Sequence, residues 1–128
     1  MTTQVTSGIK ISVETFYQGE QSSPMERHFF FAYRITIENN SEYTVQLMRR
    51  HWHIYDSNGK KSEVEGEGVV GEQPILEPGK THRYVSGCNL NSEFGKMQGT
   101  YFMQRALDST FFYVKIPEFK MEVPYKLN

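Results

Sequence analysis

The sequence predicts an all-β fold with almost no helix. Three observations carry this. Apolar residues recur at a period of two nearly everywhere, and no window shows convincing recurrence at three and four. Turn residues punctuate the chain at short intervals. Aromatics are plentiful, with nine Phe, eight Tyr and one Trp, and such side chains suit pleated, half-buried surfaces.

Ile9, Ile11 and Val13 alternate with Lys10, Ser12 and Glu14, the pattern of a half-buried strand. Gln18 to Pro24 is a polar connection. Phe29, Phe31, Tyr33, Ile35 and Ile37 alternate over a long strand whose first half is apolar on both faces, which puts it at the centre of a sheet. Glu38-Asn39-Asn40-Ser41 is a turn. The next strand breaks phase: Val45 and Leu47 share one face by odd numbering, Trp52 and Ile54 the same face by even numbering. One extra residue near Met48 to His51 reconciles them, so a β-bulge or sharp bend is expected there. Asp56-Ser57-Asn58-Gly59-Lys60 is a strong hairpin turn, and a short strand returns over Lys61 to Glu65. After the loop Gly66 to Gln73, Pro74-Ile75-Leu76 is a short extended piece and Glu77-Pro78-Gly79 a turn. Thr81 to Ser86 is a strand and Gly87 to Met97 an irregular connection. Gly99 to Arg105 and Phe111 to Ile116 are strands joined across Leu107-Asp108-Ser109-Thr110. Phe119, Met121 and Val123 make a last short strand before Pro124. About seven to eight antiparallel strands with frequent turns imply a β-sandwich of immunoglobulin or fibronectin type III kind, with a closed barrel as the alternative.

The length, 128 residues, fits one domain over residues 1–128 that needs no disulfide or metal to fold. A lone cysteine, Cys88, excludes an internal disulfide. The N-terminus lacks the pattern of a signal peptide. The longest apolar run, Phe29 to Tyr33, is five residues, against the roughly 20 that span a bilayer. A cytoplasmic protein is expected. Net charge is -1, from 14 Lys+Arg against 15 Asp+Glu. That balance supplies no field to attract nucleic acid or an anionic membrane.

Gly66-Glu67-Gly68-Val69-Val70-Gly71, followed by Glu72-Gln73-Pro74, has the G-x-G-x-x-G spacing of a phosphate-cradling loop. A dinucleotide site needs a helix beginning at that loop, aiming its free N–H groups at the pyrophosphate. Pro74 and Pro78-Gly79 leave no room for two helical turns, and the Gly-Lys-Ser/Thr of a P-loop is missing. A backbone nest for phosphate, with Arg49 and Arg50 supplying charge, is the weaker anion reading, and Glu67 and Glu72 oppose it. The glycines otherwise serve conformation, and Val69 and Val70 mark an ordered loop with an apolar anchor, a common form of binding surface.

His51 and His53 share one strand face, about 6.5–7 Å apart, a spacing compatible with a shared metal. Trp52 between them marks the core side, so the simpler reading is a solvent face carrying Arg49, His51 and His53, and no metal is assigned. Glu63, Glu65 and Glu67 alternate on one face, where carboxylates suit magnesium but more simply discourage edge pairing. Cys88 could meet His82 or another histidine, yet a cysteine without an identified base is more often inert. No catalytic set and no cofactor are expected.

The block from Gly66 to Pro74, with Leu76, Pro78-Gly79, Tyr84, Ser86-Gly87, Gly95, Met97 and Gly99, resembles the hallmark block of the ApaG family. Gln21-Ser22-Ser23-Pro24, Phe31-Ala32-Tyr33, Thr36-Ile37-Glu38-Asn39 and Trp52-x-Ile54 resemble its N-terminal half, and Ile116-Pro117-x-Phe119 its ending. The resemblance implies a fibronectin type III-like sandwich and a link to cobalt resistance and magnesium efflux. It also implies, since the domain is fused to F-box and other adaptor proteins, a non-enzymatic protein-interaction module. Its partner is an unidentified protein, and sheet edges allow a homodimer. The alternatives are a small-ligand module binding pyrophosphate or a nucleotide such as diadenosine tetraphosphate at the glycine loop, and a divalent-cation binder.

Overall fold

The structure, a computed structural model, describes residues 1–126. Its strands are β1 (Thr2–Thr6), β2 (Ile9–Tyr17), β3 (Phe29–Asn39), β4 (Val45–Asp56), β5 (Lys61–Glu67), β6 (Ile75–Leu76), β7 (Thr81–Leu90), β8 (Phe94–Arg105) and β9 (Phe111–Glu122). Among the described residues helix is confined to single 3-10 turns at Gly19–Gln21, Pro24–Glu26 and Pro124–Lys126. Among the described residues no helix is long and apolar enough to cross a membrane.

Two antiparallel sheets form an immunoglobulin- or fibronectin type III-like sandwich. One runs β1-β2-β3-β7, the other β5-β4-β8-β9, with β6 pairing β4 beyond the end of β5. The core lies between them. Ile9, Ile11, Phe31, Tyr33, Ile35 and Ile37 face Leu47, Trp52, Tyr101, Met103, Ile116, Phe119 and Met121 across the layer, all buried. Trp52 stacks edge-on against Tyr33 and Phe119, at centroid distances of 5.6 and 5.8 Å, within the favoured range for aromatic pairs.

The phase break in β4 is a bulge. The β4–β8 register slips between Leu47 and Arg49, leaving Met48 unpaired. The Asp56–Lys60 turn closes with Gly59 at φ +94 and the Gly59 N–H donating 2.9 Å to Asp56 O. The Glu38–Ser41 turn is held by Asn39, wholly buried, whose Nδ2 donates to the carbonyls of Tyr43 (2.7 Å) and Leu76 (2.8 Å).

Three stretches differ from the sequence reading. β1 had no apolar signal: it is threonine-rich, and its Val5 is exposed. The expected irregular connection over Gly87 to Met97 is instead the end of β7, a short turn, and the start of β8. Gly87 reads as a breaker but makes room for the Phe30 ring, which a Cβ would strike. The two expected strands on either side of Pro117 are one, β9. Pro117 and Glu118 stand opposite Gln98, where the β8–β9 register slips, and a bulge on an outer strand is where proline is tolerated.

β1 and β2 lie against β9 and close one side of the sandwich. On the other side β5 and β7 end their sheets, and the layers stay parted there.

Candidate functional site: the glycine loop and the cleft beneath it

β5 and β6 both run along β4, and the glycine loop is the detour between them. Glu67 pairs Arg49, and Ile75 pairs Gln46, so residues 68–74 stand opposite only Leu47 and Met48. The detour sits over the bulge of β4. The Met48 carbonyl accepts from Gly68 N–H (2.9 Å) and Gln73 Nε2 (3.0 Å), and Leu47 N–H donates 3.0 Å to Pro74 O.

Within the detour, Val69 and Glu72 exchange backbone hydrogen bonds of 2.8 and 3.0 Å. The residues between them, Val70 and Gly71, have φ of +47 and +77, the two positive values of a type I′ turn. Asn-Gly or Gly-Gly is the usual occupant. A β-branched residue in the left-handed region is a strained outlier, costing about 1–2 kcal/mol. The two valines divide the roles: Val69 is 1% exposed and seated in the core, Val70 63% exposed.

The loop's backbone is largely committed to itself. The N–H groups of Gly68, Val69 and Glu72 already donate to carbonyls, and the chain runs on from Gly71 into β6 rather than into a helix. Arg50 lies inside: its Nη1 donates to the carbonyls of Glu67 (3.0 Å) and Gly68 (2.9 Å). Gly66 leaves the space for that guanidinium, 2.9 Å from where a Cβ would stand. Arg49, the next residue along β4 and exposed, points to the face opposite that of Arg50 and Trp52. The two arginines therefore do not converge.

Under the loop the parted sheets form a cleft of about 450 Å³. Val64, Val70 and Val85 rim it, 41%, 63% and 57% exposed, and Tyr33, Tyr84 and Arg50 line it. The loop reaches across toward β7, with Glu72 Oε2 3.9 Å from His82 Nε2. Deeper in, the Tyr84 and Tyr101 hydroxyls share a short hydrogen bond. Burial pushes both phenols, and Tyr33, above the ordinary tyrosine value, so they stay protonated and serve as hydrogen-bonding groups. Tyr84→Phe is expected to cost about 1–3 kcal/mol, because it strands the buried Tyr101 hydroxyl, and Tyr84→Phe combined with Tyr101→Phe to cost less than the sum. Urea denaturation of the three variants measures this coupling.

Burial also pushes the Cys88 thiol up to about 11, which keeps it un-ionised at neutral pH. His82 does not meet it. Both lie on β7, six positions apart, which is about 20 Å along a strand.

On the outer face, the β4–β5 register pairs His51 with Glu65 and His53 with Glu63. The two expected faces, one of histidines and one of carboxylates, are thus one face. The imidazole rings lean together, 4.5 Å between centroids.

Comparison with known proteins agrees with this architecture. The pattern of the ApaG domain matches residues 19–105. The chain belongs to the ApaG domain family. It is 48% identical over 124 residues to Protein ApaG of Brucella canis, covering 97% of this chain and 95% of that one. It is 52% identical over 120 residues to Protein ApaG of Brucella anthropi, covering 94% and 92%. A crystal structure of a Bordetella pertussis protein named ApaA superposes with TM-score 0.87 at 40% identity, covering 91% of this chain and 94% of that one. The ApaG domain pattern spans β3 to β8 and so takes in the bulge, the detour and the cleft.

Proposed function

We propose that this ApaG domain is a non-enzymatic interaction module that receives an extended, apolar segment of a partner protein. The segment would add as a strand to the outer edge of β7, over the cleft. One observation carries this reading: from Tyr84 to Asn89 the edge of β7 is uncharged and, among the described residues, unpaired, beside three exposed valines. An unprotected edge is a template for strand addition. β5, the other edge facing the cleft, is guarded by Glu63, Glu65 and Glu67. The strained Val70 fits the same reading, since backbone strain is retained where a surrounding structure enforces it and often marks recognition sites.

On this reading the protein works in the cytoplasm, and any effect on cobalt resistance or magnesium efflux is indirect, exerted through contact with a membrane protein or its regulator. Arg50 in the cleft favours one second reading, a nucleotide or pyrophosphate seated there. A titration with diadenosine tetraphosphate separates the two: the second reading fails if the Gly66 to Gly71 amides do not shift at millimolar ligand.

The main test is affinity purification from native cells with wild type, Val70→Asp and Val85→Asp. Hydrogen exchange on the reconstituted complex then locates the partner. Loss of the partner in both variants and protection of β7 edge amides are expected. Identical partner lists, or protection confined to β9, would overturn the proposal. Val70→Asn gives a further check, because asparagine tolerates the left-handed region. It should raise stability by about 1 kcal/mol while weakening the partner, which thermal melts and binding assays read separately.

A further inference from the structure

We propose that the outer face of β4 and β5 is a binding site for a borderline divalent transition-metal ion, of the Zn²⁺ or Ni²⁺ class. Its ligands are His51 Nε2, His53 Nδ1 and the carboxylate of Glu63.

The hairpin register brings these groups together. His53 stands directly opposite Glu63, and His51 lies two residues along the same face. Each offers a ligand atom, and the three lie within 4.8 Å of one another. Glu63 Oε2 is 3.4 Å from His51 Nε2, and Glu63 Oε1 is 3.4 Å from His53 Nδ1. Donors held 2.0–2.2 Å from one tetrahedral ion are about 3.3–3.5 Å apart, so each histidine nitrogen already stands at such a span from one oxygen of the Glu63 carboxylate.

Two further features point to an ion. His51 Nε2 is a buried atom that makes no hydrogen bond among the described residues, its 3.4 Å approach to Glu63 Oε2 not having hydrogen-bond geometry. An unmatched buried nitrogen is costly, and a metal at that lone pair would satisfy it. The other nitrogen of the same ring, Nδ1, has Glu65 Oε1 at 3.3 Å. A carboxylate on the far nitrogen of a ligating histidine fixes the tautomer and turns the lone pair toward the metal. Glu63 is therefore a ligand and Glu65 a positioning residue.

The donor set selects the cation. Two imidazoles with one carboxylate suit Zn²⁺ or Ni²⁺, whereas Mg²⁺ prefers oxygen ligands and its own water. Three protein ligands leave a coordination position for water or for a group from a partner. The site lies on the opposite side of β4 and β5 from the cleft and is independent of the strand-addition proposal.

Calorimetry of the whole chain with Zn²⁺, Ni²⁺ and Mg²⁺ tests this, together with long-range ¹H–¹⁵N spectra of the imidazoles. One-to-one binding of Zn²⁺ is expected, with His51 Nε2 and His53 Nδ1 shifting and little heat from Mg²⁺. Glu65→Gln should weaken Zn²⁺ about tenfold through the second nitrogen, and His53→Ala or Glu63→Gln by more. Unchanged Zn²⁺ affinity in both His53→Ala and Glu63→Gln would overturn the proposal. So would imidazole signals in the wild type that ignore Zn²⁺, an outcome that leaves only imidazole–carboxylate ion pairs and needs no variant to fold.

Discussion

Gly99→Ala is expected to destabilise the protein by about 3 kcal/mol, at the upper end of the usual cost of overpacking a well-filled interior. Gly99 sits in β8 directly opposite Trp52 of β4. A Cβ on it would collide with the backbone carbonyl oxygen of His51 and crowd the Trp52 Cα. The obstacle is backbone in the middle of a ladder, not the end of a flexible side chain. β4 can yield only by moving away from β8, which lifts Trp52 out of its contacts with Tyr33 and Phe119. For a chain of this size the loss corresponds to a fall in Tm of about 10 °C. Gly59→Ala is the control. It too removes a glycine, at φ +94, but nothing lies within 4 Å of the added carbon, and its cost should stay near 1 kcal/mol. Equal melting temperatures for the two variants would show that the close approach of β4 to Gly99 is not what demands glycine there.

The strand frame and the bulge were legible in the sequence because they rest on period-two burial. Val45 and Leu47 against Trp52 and Ile54 require one extra residue, and Met48 supplies it. β1 was not legible, because a strand of threonines against a solvent-facing edge carries no apolar alternation. The continuation of β7 through Gly87 was hidden by a residue that looks like a breaker until Phe30 is seen to need its space. Pro117 concealed the unity of β9 in the same way, since its fit depends on a register slip in a neighbouring strand.

The candidate site divides along the same line. Gly66 to Pro74 was legible as an ordered loop with an apolar anchor. Which valine anchors was not, nor that Arg50 turns inward to the loop's carbonyls, because both depend on where the bulge resets the pleat; that Arg49 turns out with His51 and His53 was legible from the core side marked by Trp52. The histidine face and the glutamate face were each visible as alternation. Their coincidence needed the β4–β5 register, and the tight turn at Asp56–Lys60 was the available signal for it. The G-x-G-x-x-G spacing joins three unlike tasks. Gly66 clears space for a guanidinium, Gly68 for a carbonyl, and Gly71 supplies a positive φ.

Those unlike tasks predict unlike consequences, and Gly68→Ala should be the severe one of the three. Gly68 combines φ +61 with an added Cβ that would overlap the Glu72 carbonyl oxygen. That oxygen accepts from Val69 N–H and closes the Val69–Glu72 turn. Relieving the overlap breaks the turn, frees Val69 from the core and removes the Gly68 carbonyl from Arg50. Left-handed strain and overpacking together should cost about 2–3 kcal/mol. The effect on recognition should exceed the effect on folding, because Val70 loses the turn that presents it over the cleft. Gly71→Ala supplies the comparison: its φ is +77, but nothing lies within 4 Å of the added carbon, so it should lose about 1 kcal/mol and keep the loop. The measurements are urea melts alongside ¹H–¹⁵N spectra of the Val69 and Glu72 amides and partner capture for each variant. If Gly68→Ala keeps those amide shifts and its partner, the loop geometry is not the basis of recognition. If Gly71→Ala loses the partner while its fold stands, the turn's φ values, and not the packing of Gly68 on Glu72, control how Val70 is presented.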